Sequence, residues 1–354
     1  MEFDLSEEQR LFTDTLSALL GDQVDLDTIR AVAETGTGFD DGLWRQLTDL
    51  GIPGLVVDEA HGGVGLGIFE AAIAAEALGY GAAPLPFAAT SVMAPFAIQK
   101  LGSPAQQSAL LPAIAAGERR VAVGLQRDAR LDGGKLSAEL DAVIDAGGAT
   151  DLLVLGGDGR AACVAIDDDT VSVTLQPSLD RTRPVATATV QGAEAEILAG
   201  GGSADVDMII DAGRVMLAAD TLGAAQRMID DAVAYVKERE QFGRPVGSFQ
   251  SIKHVCAEMV SMLEPCRALV WFAAYAQDID DPEARSAACH AKAHLGEVGR
   301  DVARMATECH GGMGFTDLLG LHYWLKRIGA DRQLLGAPEQ CRQEAAVAQG
   351  WIGG

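Results

Sequence analysis

Two short stretches decide how this chain is read: Lys237-Glu-Arg-Glu-Gln-Phe-Gly-Arg-Pro-Val-Gly-Ser-Phe-Gln250 and Glu308-Cys-His-Gly-Gly-Met-Gly-Phe315. Each closes a helical run. Ala218, Leu222, Ala225, Ile229, Ala232 and Val236, at steps of three and four, lead into the first, and a run from Pro282 to Cys309 leads into the second. Glycine and polar groups therefore replace the apolar stripe where a long helix stops. Backbone N–H groups without helical partners at such ends can hold phosphate oxygens. Arg239 adds a planar fork suited to a diphosphate, and Phe242 can pack on a ring. A C-cap glycine would explain either stretch alone; the pair, in one bundle, points to a cofactor bearing phosphates and rings.

Working outward, further helices are expected from Ser248 to Ala276, from Leu318 to Leu334 and from Pro338 onward. Pro265 should kink or split the Ser248 helix. Residues 205–354 thus read as a helical bundle. Residues 119–204 change character: Val121–Gly124, Leu152–Leu155, Cys163–Ile166, Val171–Leu175 and Ala186–Val190 are short apolar runs separated by Gly, Asp and Pro, the pattern of a small β-barrel or sandwich. Residues 1–118 read as helices, opening with Ser6 as N-cap and continuing through Phe39–Leu50, Phe69–Leu78 and Ala88–Leu101. The expected fold is mainly α: an N-terminal helical domain, a middle β domain and a C-terminal four-helix-like bundle.

Composition removes several function classes. The 354 residues carry 27 Lys and Arg against 51 Asp and Glu, a net charge of −24, which disfavours nucleic acid and anionic membrane as partners. No run of 18 apolar residues spans a bilayer, and Met-Glu-Phe-Asp-Leu-Ser-Glu-Glu-Gln-Arg10 lacks a basic-then-apolar leader. Cys163, Cys256, Cys266, Cys289, Cys309 and Cys341 form no CxxC pair, which suits reduced thiols in a cytoplasmic protein. His290 and His294 stand four apart on one helix without a third ligand nearby and read as a solvated face, so no metal is expected. His61-Gly-Gly-Val-Gly-Leu-Gly67 has neither a preceding strand nor an acidic partner at the right distance and is not a dinucleotide fingerprint.

On these residues the chain resembles the acyl-CoA dehydrogenase family along nearly its whole length, most strongly from Arg214 to Gly336. The resemblance implies FAD as cofactor, an acyl-CoA thioester as substrate and electron-transfer flavoprotein as acceptor. It also implies a subunit interface across which the Arg-x-x-Phe-Gly and Gly-Gly-x-Gly segments bind the adenosine diphosphate half of FAD. Carried over by position, Arg239, Gln241, Phe242, Val246 and Gln250 line the FAD site, with Gly311 and Gly312 on the other edge. Glu308 stands where the family usually has Gln; an ionised carboxylate cannot donate a hydrogen bond and repels a diphosphate.

The family reaction needs a carboxylate base for the α-proton, a flavin for the β-hydride and hydrogen bonds to the thioester carbonyl. The chain departs from the family at the base. One usual position falls on Leu335 and the alternative on Gly213. Asp220, two helical turns beyond Gly213 in an apolar run, is the nearest substitute; Asp211 and Glu339 are weaker ones. The flavin-ring motifs of the middle domain are likewise unmatched by Val121–Gln126 and Asp141–Ala146. Diphosphate-side signals without base or ring signals, and the ending Leu334-Leu-Gly336, resemble the smaller β subunit of bacterial α2β2 acyl-CoA dehydrogenases, which act on bulky acyl groups such as steroid side chains. Three readings follow. The chain is a dehydrogenase subunit working in a hetero-oligomer, a silent partner that completes a larger homologue's FAD site, or a homo-oligomer using Asp220.

Overall fold

The computed structural model describes residues 4–126, 129–132, 134–157, 159–167, 169–198 and 202–353. Met1–Phe3 of the acidic start lie outside them. The chain divides into two compact units, one from residues 1–28, 72–83 and 214–354, the other from 29–71 and 84–213.

The second unit holds α2 (Leu26–Thr35) from Ile29 on, α3 (Asp41–Asp49), the first residues of α4 (Ile68–Gly81), α5 (Ala94–Leu101), α6 (Pro104–Ala115) and a sheet. The strands are β1 (Val121–Gln126), β2 (Arg130–Asp132), β3 (Lys135–Ile144), β4 (Asp151–Gly156), β5 (Ala161–Ala165), β6 (Val171–Leu175), β7 (Ala186–Glu194) and β8 (Glu196–Leu198). They form one eight-stranded sheet in the order β6-β7-β3-β1-β4-β5-β8, with β2 on β3; β1 and β4 run parallel and the other pairs antiparallel. All five expected apolar runs are strands. Strand β3 was not read as one, because Lys135, Glu139 and Asp141 interrupt its apolar set; burial alternates along Leu136, Ala138 and Leu140 instead. The segment Phe87–Met93 is a fully buried π-helix. Its backbone is held by Asp145, whose Oδ2 accepts from Ala89 N at 2.8 Å, and by Thr90, whose hydroxyl bonds Val121.

The first unit contains α1 (Glu7–Gln23), the end of α4, and the bundle: α7 (Ser203–Glu238) from Arg214 on, α8 (Gln250–Asp278), α9 (Ala284–Cys309), α10 (Leu321–Gln333) and α11 (Pro338–Ala348). Ser6 caps α1 in a reciprocal box with Gln9. Helices α4 and α7 cross at backbone contact. A Cβ on Gly79 would lie 2.1 Å from Asp220 O, and one on Gly223 would lie 1.8 Å from Glu76 O, so only glycine fits either place. Next to the crossing, the Arg227 guanidinium lies over Tyr80 and Trp324 and bonds both oxygens of Asp231 at 2.9 Å. Helix α8 runs unbroken through Pro265, against expectation. Pro265 is exposed, and the carbonyl deprived of its N–H belongs to exposed Ser261, where water can replace the lost bond. Among the described residues no helix is long and apolar enough to cross a membrane.

Candidate cofactor and active site

Where α7 ends, Arg239 N donates to Tyr235 O at 2.8 Å and Val246 N to Arg239 O at 2.7 Å. These bonds pinch off a hairpin of β9 (Glu240–Gln241) and β10 (Arg244–Pro245). Its two turn residues are Phe242 and Gly243, with φ of 55° and 74°. Paired positive φ matches the twist of a tight hairpin, but Asn-Gly is the usual occupant, and a phenylalanine there costs about 1 kcal/mol or more. The Phe242 ring is 92% exposed, edge-on to Phe249 at 6.2 Å, and the Arg244 guanidinium lies 4.0 Å over Phe249. Arg239, Gln241 and Gln250 are exposed and Val246 is half-buried; Gln241 Nε2 donates to Glu240 O, and Gln250 meets His254.

Where α9 ends, buried His310 bonds Ala306 O through Nδ1 at 2.7 Å, and its ring lies 4.6 Å from that of Tyr235. This ring contact joins the two glycine-bearing segments, which the sequence had placed only by analogy. Gly311 (φ 57°) and Gly312 follow, both exposed. Glu308 faces solvent and pairs with Arg304 at 3.9 Å.

Whether these residues suit a diphosphate cofactor is tested by a cavity of about 420 Å³ beside the hairpin. Val233 and Val236 form its apolar wall, and Lys237, Lys253 and Ser248 its polar side. The Ser248 Oγ is buried without a hydrogen-bond partner. A buried hydroxyl left open beside two ammonium groups suits a phosphate or ribose oxygen, and exposed Phe242 suits a ring. The donor set fits the adenosine diphosphate half of FAD, while Glu308 at the end of α9 and Glu238 and Glu240 at the hairpin carry the opposite charge.

The expected base positions are built differently. Asp220 is buried, as its apolar run implied, but both its oxygens accept from Arg327, Oδ1 from Nε and Oδ2 from Nη2, each at 2.8 Å. Arg327 is 1% exposed and also donates to Ala83 O at 2.9 Å. This pairing weighs against the role of catalytic base expected for Asp220 from the sequence. A carboxylate held by both oxygens in a buried bidentate pair is well placed to act as a counter-ion. No local pattern announced Arg327, which comes from α10, far along the chain. Gly213 is enclosed in α7, and Asp211 is 1% exposed. Glu339 does not turn inward; its carboxylate is exposed and pairs with Arg332 at 3.4 Å.

Leu335 occupies a tight turn at φ 57°. Its carbonyl accepts from Arg214 Nε at 2.8 Å, and that of Gly336 accepts from Lys292 Nζ at 3.0 Å. Arg214 in turn pairs with Glu344 at 2.7 Å. The sequence reading missed this buried cluster altogether.

Comparison with known proteins agrees with this architecture. The family profile described as Acyl-CoA dehydrogenase, N-terminal domain, matches residues 6–118, and the C-terminal domain profile matches residues 200–348. The chain is 31% identical over 352 residues to acyl-CoA dehydrogenase IpdE2 of Mycolicibacterium smegmatis, covering 97% of this chain and 100% of that one. Among solved structures it is similar to the Tcur3481-Tcur3483 steroid ACAD G363A variant, with TM-score 0.88, 29% identity and 98% coverage of both chains. The ChsE4-ChsE5 complex from Mycobacterium tuberculosis shares the fold, with TM-score 0.91 and 23% identity over the full length of both chains. With both family domains present and a near full-length relative above 30% identity, the chain belongs to the acyl-CoA dehydrogenases, flavin-dependent oxidoreductases acting on acyl-CoA.

Proposed function

We propose that this chain is the subunit of a hetero-oligomeric acyl-CoA dehydrogenase that holds the adenosine diphosphate half of FAD and leaves α-proton abstraction to a homologous partner. The observation that carries the reading is the state of the base positions: Leu335 is apolar, Gly213 has no side chain, and the nearby carboxylate, Asp220, is locked to Arg327. FAD, when bound, supplies the hydride acceptor. The chain's own residues bind and orient it: Arg239 and the Gly311–Gly312 amides at the diphosphate, Phe242 and Val246 against rings, Gln241 and Gln250 as polar edges. A bulky acyl group such as a steroid side chain is the proposed substrate, supported by the 29% identity to a steroid acyl-CoA dehydrogenase. Electron-transfer flavoprotein is the proposed acceptor.

The test is expression alone and with a larger, Glu-bearing homologue. The chain alone should be colourless or weakly yellow and inactive, and the co-expressed complex yellow and bleached by acyl-CoA. A yellow chain that turns over acyl-CoA unaided refutes the proposal in favour of a self-sufficient homo-oligomer.

A further inference from the structure

Beneath the Leu335–Gly336 turn, α9 packs on α11 through a small apolar cluster of Cys289, Ala293, Cys341 and Ala345, all at most 2% exposed. Two cations penetrate it. Arg214 Nη1 donates to Cys289 Sγ at 3.2 Å, and Lys292, 2% exposed, gives its Nζ to the carbonyls of Arg332 and Gly336. Arg214 has Glu344 as counter-ion, whereas among the described residues Lys292 has no carboxylate within ion-pair distance. A buried ammonium ion needs an anion nearby or loses its proton.

The available anion is a thiolate. Cys289 hydrogen-bonds Cys341, and this bond, with Arg214 and Lys292 nearby, lowers the Cys341 thiol to about 7 against burial and the Glu344 charge. Burial pulls Lys292 down to about 8, opposed by the Cys341 charge. Thiol Cys341 donates to Gly336 O at 3.5 Å; once ionised it leaves that carbonyl to Lys292. Packing alone would be served by alanine, as at Ala293 and Ala345. A thiol pair flanked by cations is instead the environment of a redox-active cysteine.

We propose that Cys289 and Cys341 are a reversible, peroxide-oxidised dithiol, a modification site that ties α9 to α11 under the Leu335–Gly336 turn. The Cys341 thiolate attacks a peroxide oxygen; the O–O bond breaks, hydroxide leaves and takes a proton to become water, and Cys341 becomes a sulfenic acid. Cys289, passing its proton through solvent to the departing hydroxyl, attacks that sulfur; the S–O bond breaks, water leaves and the disulfide forms. Two thiols lose two electrons and the peroxide gains them. Access comes from local opening of α11, an 11-residue helix. Oxidation removes the negative charge facing Lys292, which donates to Gly336 O, so it acts on the turn that stands in the family's base position.

The full chain, treated with hydrogen peroxide and mapped by non-reducing mass spectrometry, should yield a Cys289–Cys341 linked peptide that dithiothreitol abolishes. In Cys289→Ser, dimedone should trap Cys341 as sulfenic acid. Alkylation of native Cys341 should rise through a midpoint near pH 7. Its charged surroundings are Arg214 on α7, Cys289 and Lys292 on α9, Arg332 on α10 and Glu344 on α11. Lys292→Met should slow that alkylation about fivefold at pH 7, the effect of a one-unit rise in pKa on the thiolate fraction, while leaving Cys256 unchanged. Wild-type protein in which peroxide oxidises Cys256 but leaves Cys289 and Cys341 reduced overturns the proposal, as does Cys341 alkylation that rises only near pH 9 with or without Lys292.

Discussion

The hairpin end of the bundle and the Asp220–Leu335 region are both rich in polar side chains, and they treat them in opposite ways. Around Phe242 and Gly311 the groups face outward or stay unsatisfied: Arg239 is exposed, Ser248 Oγ has no partner, and a phenylalanine ring stands in solvent on a left-handed backbone. Around Asp220 and Leu335 polar groups are matched within the chain: Asp220 with Arg327, Arg214 with Glu344 and Leu335 O, Lys292 with two carbonyls. An exposed ring and an open hydroxyl beside ammonium groups suit a surface that takes a ligand; a mostly closed set of bonds suits a framework, even though Leu335 shares the left-handed backbone and Arg332 Nε lacks a partner.

The largest expected effect breaks the closed side. Arg327→Met strands a buried carboxylate and should cost about 3–5 kcal/mol of unfolding free energy, read by denaturant titration. Asp220→Asn should lower stability as well, yet leave turnover per folded complex unchanged; a loss of turnover beyond the loss of folded protein would restore a catalytic role to Asp220.

On the open side the order should reverse, with ligand binding sensitive and folding indifferent. Removing charge-assisted bonds worth about 1.5–3 kcal/mol, Arg239→Ala should weaken FAD retention of the complex roughly 10- to 100-fold, measured by flavin release on dilution. Its melting temperature without flavin should not move. Phe242→Asn sharpens the contrast further: relief of the left-handed strain should stabilise the chain by about 1 kcal/mol while FAD binds more weakly. Smallest of all, Glu308→Gln should tighten FAD about two- to fivefold by removing an exposed carboxylate near the diphosphate, an effect that fades in high salt.

Legibility in the sequence follows the same divide. The two glycine-bearing segments were readable because each is a local event, an apolar stripe ending in glycine, arginine and phenylalanine. Helices α9 and α11 and the five apolar strands were readable for the same reason. Helix α2 escaped notice, as did α6, which takes Pro104 at its start and carries Pro112 inside. Strand β3 hid behind its polar residues, and Pro265 broke a rule that its exposed position excuses.

The sequence by itself determined the helix–sheet–helix order, the family and the lack of a carboxylate at either usual base position, since periodicity and short motifs need no knowledge of what lies opposite. Only the tertiary structure decided that Asp220 pairs with Arg327, that Tyr235 and His310 join the two segments, and that Cys289, Lys292 and Cys341 share one seam. Each of these depends on a partner distant in sequence, and the energy of a buried charge or thiol is set by that partner and the dielectric around it rather than by its neighbours along the chain.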